Sequence, residues 1–181
     1  NFPIHIKLDT GMHRLGFAPS EIPELIHRLK RQAAVVPRSV FSHLVGSDSS
    51  QFDTFTRRQI ETFEKTSDEL QAAFPYKIIR HICNTAGIER YPGAQFDMVR
   101  LGIGLYGVNP YTNEMLHNVS TLKTTILQIR DVPQEETVGY SRKGRLSRDS
   151  RIAAIPIGYA DGLNRHLGNG NAYCIVKKKK A

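Results

Sequence analysis

The chain has 181 residues, 40% of them hydrophobic, which is enough to bury a core in one domain or two. No apolar run approaches the ~20 residues of a membrane span, the first residues do not read as a secretory leader, and Cys83 and Cys174 form no disulfide framework or metal-ligand spacing, so a cytoplasmic protein with two buried thiols and no membrane partner is expected. The net charge of +8 admits a polyanion, but Lys177–Lys180 supplies four positives as an expected solvated tail, and Arg14 and Arg100 have a better use on small anions, so nucleic acid is not expected.

Ile4–Asp9 alternates as a short strand, and Thr10-Gly11 opens the loop that carries Arg14. Ser20 is placed to cap a helix with Ile22, Leu25, Ile26 and Leu29 on one face. Val40–Val45 reads as the second strand, and the polar run Gly46–Ser50 leads into a long helix with Phe52, Phe55, Ile60, Phe63 and Leu70 within one apolar face. Lys77–Cys83 is the third strand, and Asn84-Thr85-Ala86 opens a short helical connection closed by Tyr91-Pro92-Gly93. Asp97–Gly107 reads as a fourth strand, buried on both faces and interrupted by Arg100, whose guanidinium must meet an acid, a ligand or water. Gly102 and Gly104 follow it, where backbone can approach a bound group and free N–H groups can hold an anion.

Strands joined by helical connections point to parallel pairing with right-handed crossovers. Four such units make half of a (β/α)8 barrel, which takes roughly 250 residues. The texture changes after Asn118. Thr121–Arg130, Thr137–Tyr140, Ile152–Ile157 and Tyr173–Val176 read as strands with no clear helix between them. The expected fold class is therefore α/β, the C-terminal half of a TIM barrel over residues 1–117, followed by the start of a β-rich domain over residues 118–181.

In a parallel barrel, functional groups collect at the C-terminal ends of the strands. His43, Asn84, Thr85 and Arg100 fall at or near such ends, and Arg14 lies in the loop after one. Five stretches in order, His5-Ile-Lys-Leu-Asp-Thr-Gly-Met-His-Arg-Leu-Gly16, Phe41-Ser-His-Leu44, Asn84-Thr-Ala-Gly87, Asp97-Met-Val-Arg-Leu-Gly-Ile-Gly-Leu-Tyr-Gly107 and Ile155-Pro-Ile-Gly-Tyr-Ala-Asp-Gly162, resemble the alanine racemases. These are isomerases that use pyridoxal 5'-phosphate (PLP) to interconvert L-alanine and D-alanine, the latter for peptidoglycan.

The resemblance implies a role for each matched residue. Arg100 would face the pyridine nitrogen and, being cationic, keep it unprotonated. Thr85, where the family often has serine, would hold the phosphate with the N–H groups of Gly102 and Ile103. Arg14 would take the substrate carboxylate and lie near the cofactor's phenolic oxygen. Lys7 matches a lysine that is carbamylated in related enzymes, which would turn it into an anion able to hold Arg14. Racemisation needs a base on each face. Tyr140, in Val138-Gly-Tyr-Ser141, resembles the tyrosine that takes the proton of L-alanine, acting on the other subunit of a homodimer. A phenol is a poor base at neutral pH unless its anion is stabilised, and His43, bonded to Tyr140 and backed by Arg100, would be that stabiliser. Tyr159 and Asp161, with Arg165 nearby, match the family's substrate entry.

No lysine stands in the Lys-Ala-(Asn/Asp)-Ala-Tyr-Gly type of motif that bears PLP in this family. The chain is therefore expected to be a fragment of a longer polypeptide and inactive alone. The alternatives are a PLP-binding homeostasis protein built on the barrel alone, against which the β-rich stretch argues, and a related racemase or decarboxylase of other amino acids.

Overall fold

A computed structural model describes residues 1–181. It divides into two compact units, Asn1–Thr121 and Leu122–Ala181.

The first unit is built on three parallel strands, β1 (Phe2–Lys7), β2 (Val35–Phe41) and β3 (Ile79–His81), in the order β1-β2-β3. Helix α1 (Ile22–Lys30) connects the first two strands and α2 (Asp53–Ala72) the last two. Both connections are long enough for the crossover that parallel pairing requires. β2 begins five residues earlier than its apolar run suggests and stops at Phe41. The early part contains Pro37, which has no N–H for the ladder. The sheet accommodates it with a register shift: Ile4 pairs with Pro37 and His5 with Ser39, so Arg38 is skipped. His43 thus lies in the loop after β2.

Alternation divides the sheet into two faces. Ile6, Val40 and Ile82 point into a core with Leu8, Ile22, Leu29, Leu44, Phe63, Leu70 and Ile78, each fully buried side chain contributing about 1.5–3 kcal/mol. α1 places Ile22 and Leu29 there with Leu25 and Ile26 against them. Ser20 does not cap it: Ser20 lies inside a preceding 3-10 turn, and the Glu21 carboxylate accepts from the Ala18 N–H at 2.7 Å. α2 also differs from its expected face. Phe52 and Phe55 are exposed, and the buried positions are Thr56, Gln59, Phe63, Thr66, Ser67 and Leu70. Thr66 and Ser67 turn their hydroxyls back onto the helix carbonyls of Thr62 and Glu64, which removes the cost of burying them. Short α3 (Thr85–Arg90) follows β3 as expected, with the Asn84 side chain accepting from Gly87 N–H at 3.0 Å.

The fourth strand does not form. The chain turns at Phe96, φ +50°, donates from Asp97 to Arg80 and from Arg100 to Cys83, and then coils into a 3-10 turn over Ile103–Tyr106. Too few extended residues remain between the two turns for a ladder. Met98, Val99, Leu101, Ile103 and Leu105 are accordingly exposed rather than buried.

The second unit holds three antiparallel pairs: β4 (Gln128–Val132) with β7 (Ser150–Ala154), β5 (Thr137–Val138) with β6 (Gly144–Arg145), and β8 (Ile175–Val176) with β9 (Lys179–Lys180). It is β-rich as its composition suggests, but Thr121–Leu127 lies outside any strand, and Cys174 is exposed while Cys83 is buried. The lysine run is no free tail. Lys177 and Lys178 form a turn with φ +47° and +67°, and the Lys180 ammonium sits 3.9 Å from the Tyr173 ring centroid.

Candidate active site

Arg100 organises the C-terminal end of the sheet. Its Nη1 donates to His81 Nδ1 at 2.5 Å, and its Nη2 donates to Ser42 O at 2.6 Å and to His43 Nδ1 at 3.3 Å. Beneath it the guanidinium carbon lies 5.2 Å from the Phe41 ring centroid, and Phe41 stacks on His81 at 5.1 Å. The sequence alone suggested an acid, ligand or water as its partner. The structure supplies neutral acceptors instead, and burial pulls the arginine below its ordinary proton affinity.

Arginine has donors only, so each Nδ1 it contacts must be unprotonated. Both histidines are therefore neutral and carry their proton on Nε2. The electrostatics agree. Burial and the Arg100 charge push His81 down to about 4, and burial with the charges of Arg100, Lys7 and Arg14 lowers His43. From His81 the chain of donors continues: its Nε2 lies 3.4 Å from Ser39 Oγ, which lies 2.5 Å from His5 Nδ1. The sequence reading missed His5, Ser39 and His81. Their signal was the alternation itself, which puts His5, Lys7, Ser39, Phe41 and His81 on the face opposite the core.

Arg14 projects from the loop after β1 and is exposed. That loop is tied at both ends: Phe17 N–H donates to Lys7 O and Asp9 N–H to Phe17 O, while the Asp9 carboxylate accepts from the N–H groups of Gly11 and His13. Gly16 is required, since at φ +118° a Cβ would stand 2.9 Å from the backbone of Lys7, Leu8 and Asp9. Lys7 ends β1 with its ammonium 5.9 Å from the Phe41 ring centroid.

A cavity of about 370 Å³ is lined by His43, Asn84, Thr85, Gly102 and Ile103 among others; its one carboxylate, Asp48, is exposed. The Thr85 hydroxyl accepts from Gly102 N–H at 2.9 Å and Gly104 N–H at 3.2 Å, so it must turn its own proton outward, away from those donors. The N–H of Ile103 opens a 3-10 turn and has no intrahelical acceptor. A hydroxyl donor and a free amide at one cavity suit a small anion. Asn84 braces the wall: its Oδ1 accepts from Ser47 Oγ at 2.8 Å, and its Nδ2 donates to Leu44 O at 3.2 Å.

The remaining candidates belong to the second unit. Tyr140 is 92% exposed and opens a 3-10 turn after Gly139, φ +81°. Ser141, at the position where the family more often has glycine, has φ +56°, a conformation costing a non-glycine residue about 1–2 kcal/mol. Tyr159 is exposed, and the Asp161 carboxylate accepts from Gly158 N–H at 2.9 Å, fixing the turn that holds both. Arg165 opens the next turn. The structure thus gathers Arg100 and His43 at the end of the sheet, and Thr85, Gly102 and Ile103 with His43 at one cavity. It places Tyr140, Tyr159 and Asp161 on exposed turns.

No helix is long and apolar enough to cross a membrane. The family model for the alanine racemase N-terminal domain matches residues 1–110, and the model for the alanine racemase C-terminal domain matches residues 119–181. An alanine racemase of Aeromonas hydrophila is 40% identical over 176 residues, covering 94% of this chain and 47% of the relative. Alanine racemase 1 of Oceanobacillus iheyensis is 36% identical over 171 residues, covering 92% and 45%. Among solved structures, the alanine racemase of Clostridium difficile 630 superposes with a TM-score of 0.72 at 31% identity, covering 98% of this chain and 47% of that one. That of Bartonella henselae, with covalently bound pyridoxal phosphate, gives 0.57 at 30% identity, covering 91% and 45%. The chain spans about half the length of the curated relatives it matches. With both models matching in sequence order over nearly all of its residues, this chain belongs to the alanine racemase family.

Proposed function

We propose that the protein carrying this chain is a PLP-dependent alanine racemase, and that the first unit contributes to a (β/α)8 barrel. The observation that carries the reading is Arg100 holding His43 as the Nε2–H tautomer beside the cavity of Thr85 and Ile103. The residues fit the cofactor. The Thr85 hydroxyl, oriented by the Gly102 N–H it accepts from, and the free N–H of Ile103 would hold its phosphate, and Arg100 would hold its ring nitrogen. When bound, the group supplies the electron sink that acidifies the Cα–H of alanine.

The chain's own residues then divide the work. Arg14 takes the substrate carboxylate with its guanidinium fork. Lys7, if carbamylated, becomes the anion that orients Arg14. Tyr140, from the second subunit of a homodimer, accepts the proton from L-alanine. His43 donates its Nε2–H to the phenolate and so stabilises the base, while Arg100, bonded at His43 Nδ1, prevents the opposite tautomer. Because Arg100 stays cationic with no carboxylate partner, it disfavours a proton on any nitrogen it faces, which suits fast return of the proton to carbon over transamination. Tyr159, Asp161 and Arg165 line the route of entry.

The match of residues 119–181 to the racemase C-terminal model favours this reading over a barrel-only homeostasis protein. A family member from Bacillus anthracis holds L-Ala-P, which favours alanine over larger amino acids. The test is directional. In the protein carrying this chain, Tyr140→Phe is expected to slow solvent deuterium uptake at Cα of L-alanine by ~100-fold or more and that of D-alanine far less. Equal slowing for both enantiomers would defeat the assignment.

A further inference from the structure

Gln59 is a fully buried amide, 1% exposed, on a helix face that packs against the core. An apolar side chain would fill that position at lower desolvation cost, so the amide must be kept for what it bonds. Its Oε1 accepts from Val45 N–H at 3.0 Å. Its Nε2 donates to His43 O at 3.3 Å and to Thr10 Oγ1 at 3.4 Å. Thr10 Oγ1 lies 2.8 Å from Ser42 Oγ, which donates to Leu8 O. One side chain of α2 therefore joins the loop after β1, which carries Arg14, to the loop after β2, which carries His43. Gly11 completes the contact: at φ +131° it faces Gln59, and a Cβ there would stand 2.9 Å from Phe55 Cζ and 3.6 Å from Gln59 Nε2.

We propose that Gln59 is a positioning residue that fixes the His43 loop against the Arg14 loop and thereby sets the distance from His43 to Arg100. The inference rests on the reading of those loops as the active site, but the contacts themselves do not depend on the substrate. Only an amide meets the pattern, with one acceptor for Val45 and two donors for His43 and Thr10. Glutamate keeps the acceptor and loses both donors. Methionine keeps the volume and loses everything polar.

The consequence is readable at His43. Asp48 lines the same cavity as His43, and the charged groups that act on His43 are Arg100 from the segment after α3, Lys7 from β1 and Arg14 from the loop after β1. With burial they hold its proton affinity down, and loosening the His43 loop relaxes that hold.

The experiment compares Gln59→Met, Gln59→Glu and, as a control for general loss of packing, Thr66→Val in the protein carrying this chain. Amide hydrogen exchange at Val45 and the NMR titration of the His43 imidazole are followed. In Gln59→Met the Val45 amide is expected to exchange about five- to tenfold faster, the loss of one hydrogen bond, and His43 is expected to titrate higher. Gln59→Leu serves both readings if Gln59→Met does not fold, and Gln59→Glu should keep Val45 protected, its new carboxylate barring it from the His43 reading. Thr66→Val should move neither reading. An unchanged His43 titration in the neutral Gln59 variant, or an equal change in Thr66→Val, overturns the proposal. Neither reading uses racemase turnover, so a wrong substrate assignment would show in activity and leave this result standing.

Discussion

Gly104 and Thr85 form a size-matched pair, and substituting one should be correctable at the other. A Cβ added to Gly104 would stand 2.6 Å from the Thr85 methyl carbon, well inside contact distance. The methyl can escape only by rotating about χ1. That rotation also swings Oγ1 away from the N–H groups of Gly102 and Gly104, at 2.9 and 3.2 Å. Losing two such bonds costs about 1–3 kcal/mol, and at 1.4 kcal/mol per decade the proposed phosphate site should weaken by roughly 5- to 150-fold. Serine has no methyl, so Thr85→Ser combined with Gly104→Ala should bind nearly as well as the parent, while Gly104→Ala alone should not. Fluorescence titration with pyridoxal phosphate across parent, both single variants and the double variant measures the coupling. Unchanged affinity in Gly104→Ala, or a double variant as weak as the single, would refute the argument.

Two further outcomes follow from the titratable groups. Burial pushes the Cys83 thiol up to about 11, and Cys174 is exposed, so a thiol reagent at pH 8 should modify Cys174 rapidly and Cys83 only on unfolding; mass mapping showing equal rates would contradict the buried placement. His81 is held neutral in the fold, at about 4 against an ordinary 6.5. Above pH 6.5 neither state of the chain protonates it, and between 6.5 and about 4 the unfolded state gains a proton the folded state refuses, so its contribution of up to about 3 kcal/mol is lost as pH falls through that window. Urea unfolding at pH 7 and pH 4.5 should show a smaller acid loss in His81→Gln than in the parent; identical losses would count against the placement of His81 beside Arg100.

The sequence was most readable where one periodicity acted alone. The apolar face of α1 is Ile22, Leu25, Ile26 and Leu29 as spacing dictates, because nothing there competes with burial. It was least readable where a residue type carried two meanings. The aromatics at 52 and 55 suggested the core face of α2, yet the helix turns Gln59 inward to serve two loops, and Phe52 and Phe55 go to the surface with it. The apolar run from Val40 did not reach back to Pro37, which β2 contains because a register shift accommodates the missing donor. The apolar run around Arg100 looked like a sheet strand, but the turn at Phe96 and the coil at Ile103 leave it two backbone bonds.

Motif matching found Arg14, His43, Thr85 and Arg100 but not the side chains that set their states. His5 and Ser39 sit mid-strand and His81 is the last residue of β3, places where a polar residue in a parallel sheet reads as a defect. Their meaning appears only when the three strands are placed in register, so that Lys7, Phe41 and His81 share one row and His5 and Ser39 the row before it. From that row upward the logic is local. Phe41 gives Arg100 a flat floor, and His81 Nδ1 anchors one arm of its fork while the other reaches Ser42 O and His43 Nδ1. The fork then leaves His43 one proton to offer, on Nε2. The chemistry assigned to His43 is thus decided by its direct contact with Arg100, an arginine that has no acid to neutralise it and that, together with burial, keeps both neighbouring imidazoles neutral.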